Sequence, residues 1–334
     1  MRRLLKAMDG GSSKRIDKAD KGLARNMKFV ESMSLDEQQV LDPEHISLGE
    51  MLGEGGFSKV YACQLAGQKA VAKVIPSENL NEEMTYLLTN ECTIWAKLAH
   101  PSIVTFYGMA STSTSIWLVC EAMHEGALQG HLENLRAQKA ELPGMPQLVT
   151  QYLQISQGME YLHKFDPPVL HRDLKSGNIL MGNQGQRLAI ADFGLARYQA
   201  GAGKKMTAET GSYRWMAPEV IRHELYATPC DIYSFAILAW EMLTFRVPFD
   251  NMMPVEAAFA VAREAKRPPI PSSCPAPIRQ MLEACWTQEA SKRPSFSELC
   301  AALEAEREMM GASDAEGLSQ QMAGVSVSDA PPSS

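Results

Sequence analysis

From His171 to Asn178 the chain reads HRDLKSGN, and DFG follows at Asp192, Phe193 and Gly194. An acid, an amide five residues after it and a second acid nineteen residues after the first make a spacing that is hard to produce by accident. A lone DFG means little. The three groups together, Asp173, Asn178 and Asp192, are candidates to work at a single site. Two carboxylates and a carboxamide of this kind serve chemistry in which positioning and electrostatics supply most of the rate.

The 334 residues fit one large domain, or two lobes with tails, and 45% hydrophobic residues suffice for a core. Seven cysteines are scattered between Cys63 and Cys300 with no CxxC pair and no Cys/His cluster, which argues against a zinc site. Their odd number and the lack of a secretory leader favour reduced thiols and a cytoplasmic location. Apolar runs such as Phe235 to Trp240 are far shorter than the ~20 residues of a membrane helix, so no transmembrane segment is expected. Nothing in the sequence calls for a nucleic-acid partner. The net charge is −7, yet residues 1–28 carry nine Lys/Arg against three Asp, which leaves the remainder at −13. The basic start reads as a solvated, disordered leader, with contact to an acidic membrane or a partner as the alternative. Its three aspartates argue against a mitochondrial presequence, and no myristoylation glycine follows Met1.

Strands come first and helices later. Ser47–Tyr61, Gln68–Ile75, Ile103–Met109 and Ile116–Cys120 read as short strands with turn breakers between them. Glu82–Leu98 reads as a helix, with Leu87, Leu88, Ile94, Trp95 and Leu98 at helical intervals. After Leu128 the pattern is mainly helical, clearest at Leu148–His163, Asp231–Leu243 and Ser295–Met310. Residues 311–334 are small, polar and free of aromatics, and read as disordered.

Further stretches carry chemistry. LGEGGFSKV spans Leu52–Val60, and VAK, Val71–Lys73, lies one strand downstream. With HRDLKSGN, DFGLAR, TAETGSYRWMAPE and CWTQEASKRPSF, they resemble the tyrosine-kinase-like group of serine/threonine protein kinases, and Raf-like MAP kinase kinase kinases within it. The resemblance covers about residues 45–307. It implies an α+β two-lobed protein kinase fold: a small antiparallel β-sheet N-lobe with one main helix, and a mainly α-helical C-lobe, with ATP between them. The implied boundaries are a basic, largely disordered extension at 1–44 and a kinase domain at 45–307. Within that domain the N-lobe is 45–121, the hinge 121–126 and the C-lobe 127–307, and a disordered tail follows at 308–334.

The resemblance also implies roles. Asp173 would accept or orient the substrate hydroxyl proton, and Asn178 and Asp192 would hold Mg2+ against the phosphates of ATP. Lys175 would contact the γ-phosphate. Leu52, Gly53, Glu54, Gly55, Gly56, Phe57 and Ser58 would form the phosphate loop, where Ser58 stands in place of the third glycine. Lys73 would meet the α- and β-phosphates and be held by Glu91. Val60, Ala72 and Leu180 would sandwich the adenine, which backbone groups of Glu121–Met123 would receive, with Cys120 at the gatekeeper position. Trp95, Phe106, His171 and Phe193 would stack as a spine. Asp231 would bond the catalytic-loop backbone, and Glu219 would pair with Arg293.

Lys175 and Ser212 favour transfer to serine or threonine. Thr207 and Thr210 are the candidate acceptors of an activating phosphate, from an upstream kinase or from the chain itself, that Arg172 and Arg197 would bind. The substrate is a protein, by family likeness a MAP kinase kinase. Two other readings stay open: a nucleotide-binding scaffold, supported by Ser58 alone, and a small-molecule kinase, opposed by the APE segment and its arginine.

Overall fold

The computed structural model describes residues 19–31, 33, 35–199 and 212–324, without the side chains of 19–21 and 312–324. The chain forms two compact units, divided between Met123 and His124, with Pro101–Ile103 belonging to the second.

The first unit begins with helix α1 (Ala19–Glu31). Strands β1 (Ile46–Glu54), β2 (Lys59–Leu65) and β3 (Gln68–Pro76) follow, then helix α2 (Glu82–Trp95) and strands β4 (Phe106–Ser111) and β5 (Ser115–Glu121). The five strands form one antiparallel sheet in the order β1-β2-β3-β5-β4. The stretch read as strand over 47–61 is thus two strands joined by the glycine-rich turn. Between β2 and β3, Ala66 and Gly67 both have positive φ (49° and 85°), the backbone of a two-residue hairpin turn matched to strand twist. Ile46, Cys63, Ala70, Ala72, Ala110 and Val119 form a buried cluster on one face. Asn81 caps α2, its side chain accepting the Met84 N–H at 2.7 Å.

The extension expected to be largely disordered over 1–44 therefore contains α1 and two short 3-10 turns, Glu37–Gln39 and Pro43–His45. It is fixed both by buried apolar residues, Val30 and Met33, and by polar side chains that reach distant backbone, Asn26 and Gln39.

The second unit holds β6 (Gly126–Ala127), α3 (Leu128–Ala137), α4 (Met145–His163), β7 (Val169–Leu170), β8 (Ile179–Gly182), β9 (Arg187–Ile190) and β10 (Arg197–Tyr198). Helices α5 (Pro218–Ile221), α6 (Pro229–Thr244), α7 (Pro254–Glu264), α8 (Ala276–Cys285) and α9 (Phe296–Gly324) complete it. Strands β6, β8 and β9 form a small sheet, and β7 pairs with β10. Every residue of α6 from Cys230 to Leu243 is buried, so this helix is the centre of the unit. Tyr152 of α4, Phe235 of α6 and Phe296 of α9 stack edge to face around it. Ser295 and Glu298 start α9 with reciprocal side-chain-to-backbone bonds of 3.2 and 2.7 Å. The helix runs to Gly324, past the Met310 where the apolar pattern stops. Among the described residues no helix is long and apolar enough to cross a membrane.

Candidate active site

In the first unit, β3 register places Lys73 opposite Val60 on β2 and Leu118 on β5. Directly paired residues share a face of a sheet. Lys73 Nζ donates to both oxygens of Glu91 on α2, at 3.0 and 3.3 Å, so the two residues eighteen apart in sequence form an ion pair. Glu91 is buried while Lys73 keeps a third of its side chain exposed. The pair is thus anchored on its acid and open on its amine.

Ala72 lies elsewhere. It is fully buried in the core cluster on the opposite face of β3 from Lys73, so it cannot line a site with that lysine. Val71, paired with Cys120, occupies the Lys73 face. The assignment to Ala72 slipped by one residue, and in a strand one residue reverses the face. Cys120 as a residue is only half-buried, yet the burial of its thiol pushes the pKa up to about 12.

Leu52 and Phe57 are exposed, and the turn between β1 and β2 closes with the Gly55 N–H on Ser58 O at 2.8 Å. Asn79 Nδ2 donates to Phe57 O at 3.0 Å. A Cβ added at Gly53 or Gly56 would meet nothing within 4 Å. Glycine here therefore answers no contact within the chain, and the open space above the backbone fits an approaching phosphate. Ser58 fills the third glycine position with its carbonyl inside the turn. The Glu121 N–H donates to Thr105 O at 3.0 Å, and its carboxylate accepts from the Thr105 N–H at 2.7 Å, which fixes the end of β5 before Met123.

In the second unit, Asp173 is the focus of one network. Its Oδ2 accepts from Lys175 Nζ at 2.8 Å and from Asn178 Nδ2 at 2.9 Å, and its Oδ1 accepts the Ser212 N–H at 3.3 Å. Lys175 Nζ also donates to Ser212 Oγ at 2.7 Å. The Ser212 hydroxyl thus reaches Asp173 through Lys175, while its backbone touches the acid directly. Asn178 Nδ2 also donates to Asp173 O at 2.8 Å, which turns its amide oxygen away from the acid. Ala191 N–H donates to Asn178 O at 2.8 Å and ties the DFG stretch to the loop. Asp192 is exposed and takes φ +62°, and Arg172 takes φ +70°. Left-handed backbone at two non-glycine residues is strain that clusters at working sites. An amide oxygen and an exposed carboxylate are hard donors that fit a magnesium ion. Leu180 on β8, paired with Ala127 and Ala189, is half-buried.

Beneath this loop sits Asp231 of α6, fully buried. It accepts the His171 N–H at 3.0 Å, the Arg172 N–H at 2.9 Å and His163 Nε2 at 2.9 Å. Burial alone would push its carboxyl up, but the hydrogen bond and charge of His163 and the neighbouring donors outweigh that and hold it below the ordinary value. His171 stacks on Phe193 at 5.5 Å, and in the first unit Trp95 stacks on Phe106 at 5.0 Å. Arg293 clamps Glu219 with two bonds, 2.7 and 2.8 Å. Thr207 and Thr210 lie outside the described residues. A family model for protein tyrosine and serine/threonine kinases matches residues 46–303.

The chain belongs to the protein kinase family.

This kinase is 35% identical to the serine/threonine/tyrosine-protein kinase HT1 of Arabidopsis thaliana, over 80% of the chain and 68% of that protein. It is 34% identical to the Arabidopsis serine/threonine-protein kinase STY17 over 78% of the chain and 44% of the relative. With mitogen-activated protein kinase kinase kinase 10 of Mus musculus it shares 36% over 78% of the chain and 28% of that protein. The kinase thus spans less than half the length of several relatives. These likenesses place it with the tyrosine-kinase-like, Raf-like enzymes.

Glu241 and Val71 of the kinase went without a role in the sequence reading. Glu241 of α6 accepts from Ser176 Oγ at 2.7 Å and Trp215 Nε1 at 3.0 Å, joining the Asp173 loop to the segment after Ser212. An acid inside the apolar run IYSFAILAWEML was the available signal for Glu241. Val71 was legible from alternation along β3.

Proposed function

We propose that the kinase transfers the γ-phosphoryl group of Mg-ATP to serine and threonine hydroxyls of protein substrates. The observation that carries this reading is the Asp173 network: one buried-edge carboxylate held at once by Lys175, Asn178 and Ser212. Asp173 accepts or orients the hydroxyl proton, and its three donors hold it aimed. Lys175 neutralises charge on the phosphoryl group in flight. Lys73, fixed by Glu91, receives the α- and β-phosphates, and the Leu52–Ser58 turn covers them with backbone. By family likeness Val60, Val71 and Leu180 are assigned to the adenine ring, and the backbone of Glu121–Met123 to its edge. A magnesium ion held by Asn178 and Asp192 would offset phosphate charge.

The finer reading is a cytoplasmic signalling enzyme controlled through Thr207 or Thr210. A phosphate there carries roughly −1.5 to −2 charges and would pair with Arg172 and Arg197. The name of the mouse relative supports a MAP kinase kinase as substrate. Labelled phosphate from Mg-ATP should appear on serine and threonine of a protein substrate, and mass mapping of active protein should find phosphate between Lys204 and Tyr213. Label confined to tyrosine, or to a small molecule, would overturn the assignment.

A further inference from the structure

The helix that carries Glu91 is held at both ends by the extension that precedes the sheet. At its entry, α1 supplies two residues. Asn26 is fully buried, and its Nδ2 donates to Ser77 Oγ at 2.7 Å and to Thr112 O at 2.8 Å. Arg25 Nη2 donates to Leu80 O at 3.0 Å, immediately before the Asn81 cap of α2. The Asn26 amide cannot be flipped, since its oxygen would then face the Thr112 carbonyl. Its Oδ1 is buried with no partner, so the residue is placed for its donors at the cost of its acceptor. Val30 and Met33 are also buried.

At the exit, Gln39 Nε2 donates to Ala96 O at 2.8 Å. Ala96 is the cap residue at the end of α2, where helix carbonyls lack partners within the helix. Gln39 is itself fixed: its Oε1 accepts the Asp36 N–H at 3.2 Å, and the Leu41 N–H donates to Met109 O at 2.7 Å on β4, the edge strand of the sheet. Gly108 makes room for the strap. It has φ +144°, and a Cβ there would stand 2.3 Å from Gln39 O.

We propose that Asn26 and Gln39 are positioning residues for phosphoryl transfer: Asn26 fixes the turn that leads into α2 and Gln39 fixes its last turn, and together this bracket sets Glu91 against Lys73. This inference rests on the role proposed above for the Lys73–Glu91 pair. Neither residue touches the pair, so each acts through the helix.

The test is a double-mutant cycle in the full chain, reading kcat/KM for ATP with folding followed by thermal melting. Asn26→Ala with Gln39→Ala removes every side-chain hydrogen bond described above for the two residues and should lower kcat/KM roughly tenfold, since only part of that loss reaches Glu91. In a Glu91→Gln background the same two changes should cost less than about twofold, because residues that work through one group are non-additive. Gln39→Glu, which keeps the shape and removes the donor, replaces the double variant if that does not fold. Equal losses in both backgrounds would overturn the inference. An unaffected Asn26/Gln39 variant beside an impaired Glu91→Gln would overturn the bracket alone. A fully active Glu91→Gln would overturn the role of the pair, and the bracket with it.

Discussion

Glu241, on the buried α6, accepts the Ser176 hydroxyl at 2.7 Å and so fastens the loop bearing Asp173 and Asn178 to the centre of the second unit. Its second oxygen takes the Trp215 indole at 3.0 Å. One carboxylate therefore ties the Asp173 loop and the segment after Ser212 to one helix.

That carboxylate carries a pH signature. Burial pushes its pKa up to about 7, against the Ser176 and Trp215 hydrogen bonds that pull it down. The folded protein then binds a proton that the unfolded chain has released, between the ordinary value of 4.5 and about 7. Stability from this group is full below that window and lost as pH rises through it, by at most about 3 kcal/mol. Denaturant midpoints at pH 5.5 and 8 should differ less in Glu241→Gln than in the parent. An equal difference would remove the explanation.

Arg293 and Glu219 form a pair with side chains 0% and 7% exposed. Removing one partner strands a buried charge, so Arg293→Ala should cost about 3–5 kcal/mol in urea unfolding. Arg246, paired with Asp250 at the surface, should cost about 0–1 kcal/mol when changed to alanine. Similar costs for the two would count against the account.

Lys73 separates binding from folding. Lys73→Met removes the donor proposed for the phosphates and should lower transfer roughly 100-fold. The fold loses one partly exposed pair, so unfolding free energy should change by about 1–3 kcal/mol. A variant that transfers phosphate normally would remove Lys73 from the site.

Cys120 should resist alkylation. Burial and the neighbouring Glu121 push its thiol up to about 12, which disfavours the thiolate at neutral pH. Peptide mapping after iodoacetamide should find it unlabelled in the native protein and labelled after unfolding. Rapid native labelling would show that the thiol is not held in this way.

The legible parts of this kinase are those where function demands a fixed residue type at a fixed spacing. Asp173, Asn178 and Asp192 lie on short loops, and their order survives as a local string. Lys73 and Glu91 were found because each stands in its own local pattern, and the structure joins them at 3.0 Å. Ala72 was misassigned because its neighbour Val71 is equally apolar; only the register with Val60 and Cys120 separates the two faces. Asn26 and Gln39 were invisible for a different reason. Single amides that meet backbone carbonyls 86 and 57 residues away follow no periodicity. Their role exists only once β4 and α2 are folded.

The most direct measurement is the single-turnover rate of phosphate transfer from labelled Mg-ATP, comparing the parent with Asp173→Asn while ATP binding is followed separately. The asparagine keeps the shape of the group held by Lys175, Asn178 and Ser212 and removes its charge. The account predicts that transfer to serine and threonine falls by roughly 100-fold or more while ATP still binds. Transfer at the parental rate would show that Asp173 is not the acid on which the reaction turns, and would contradict the account.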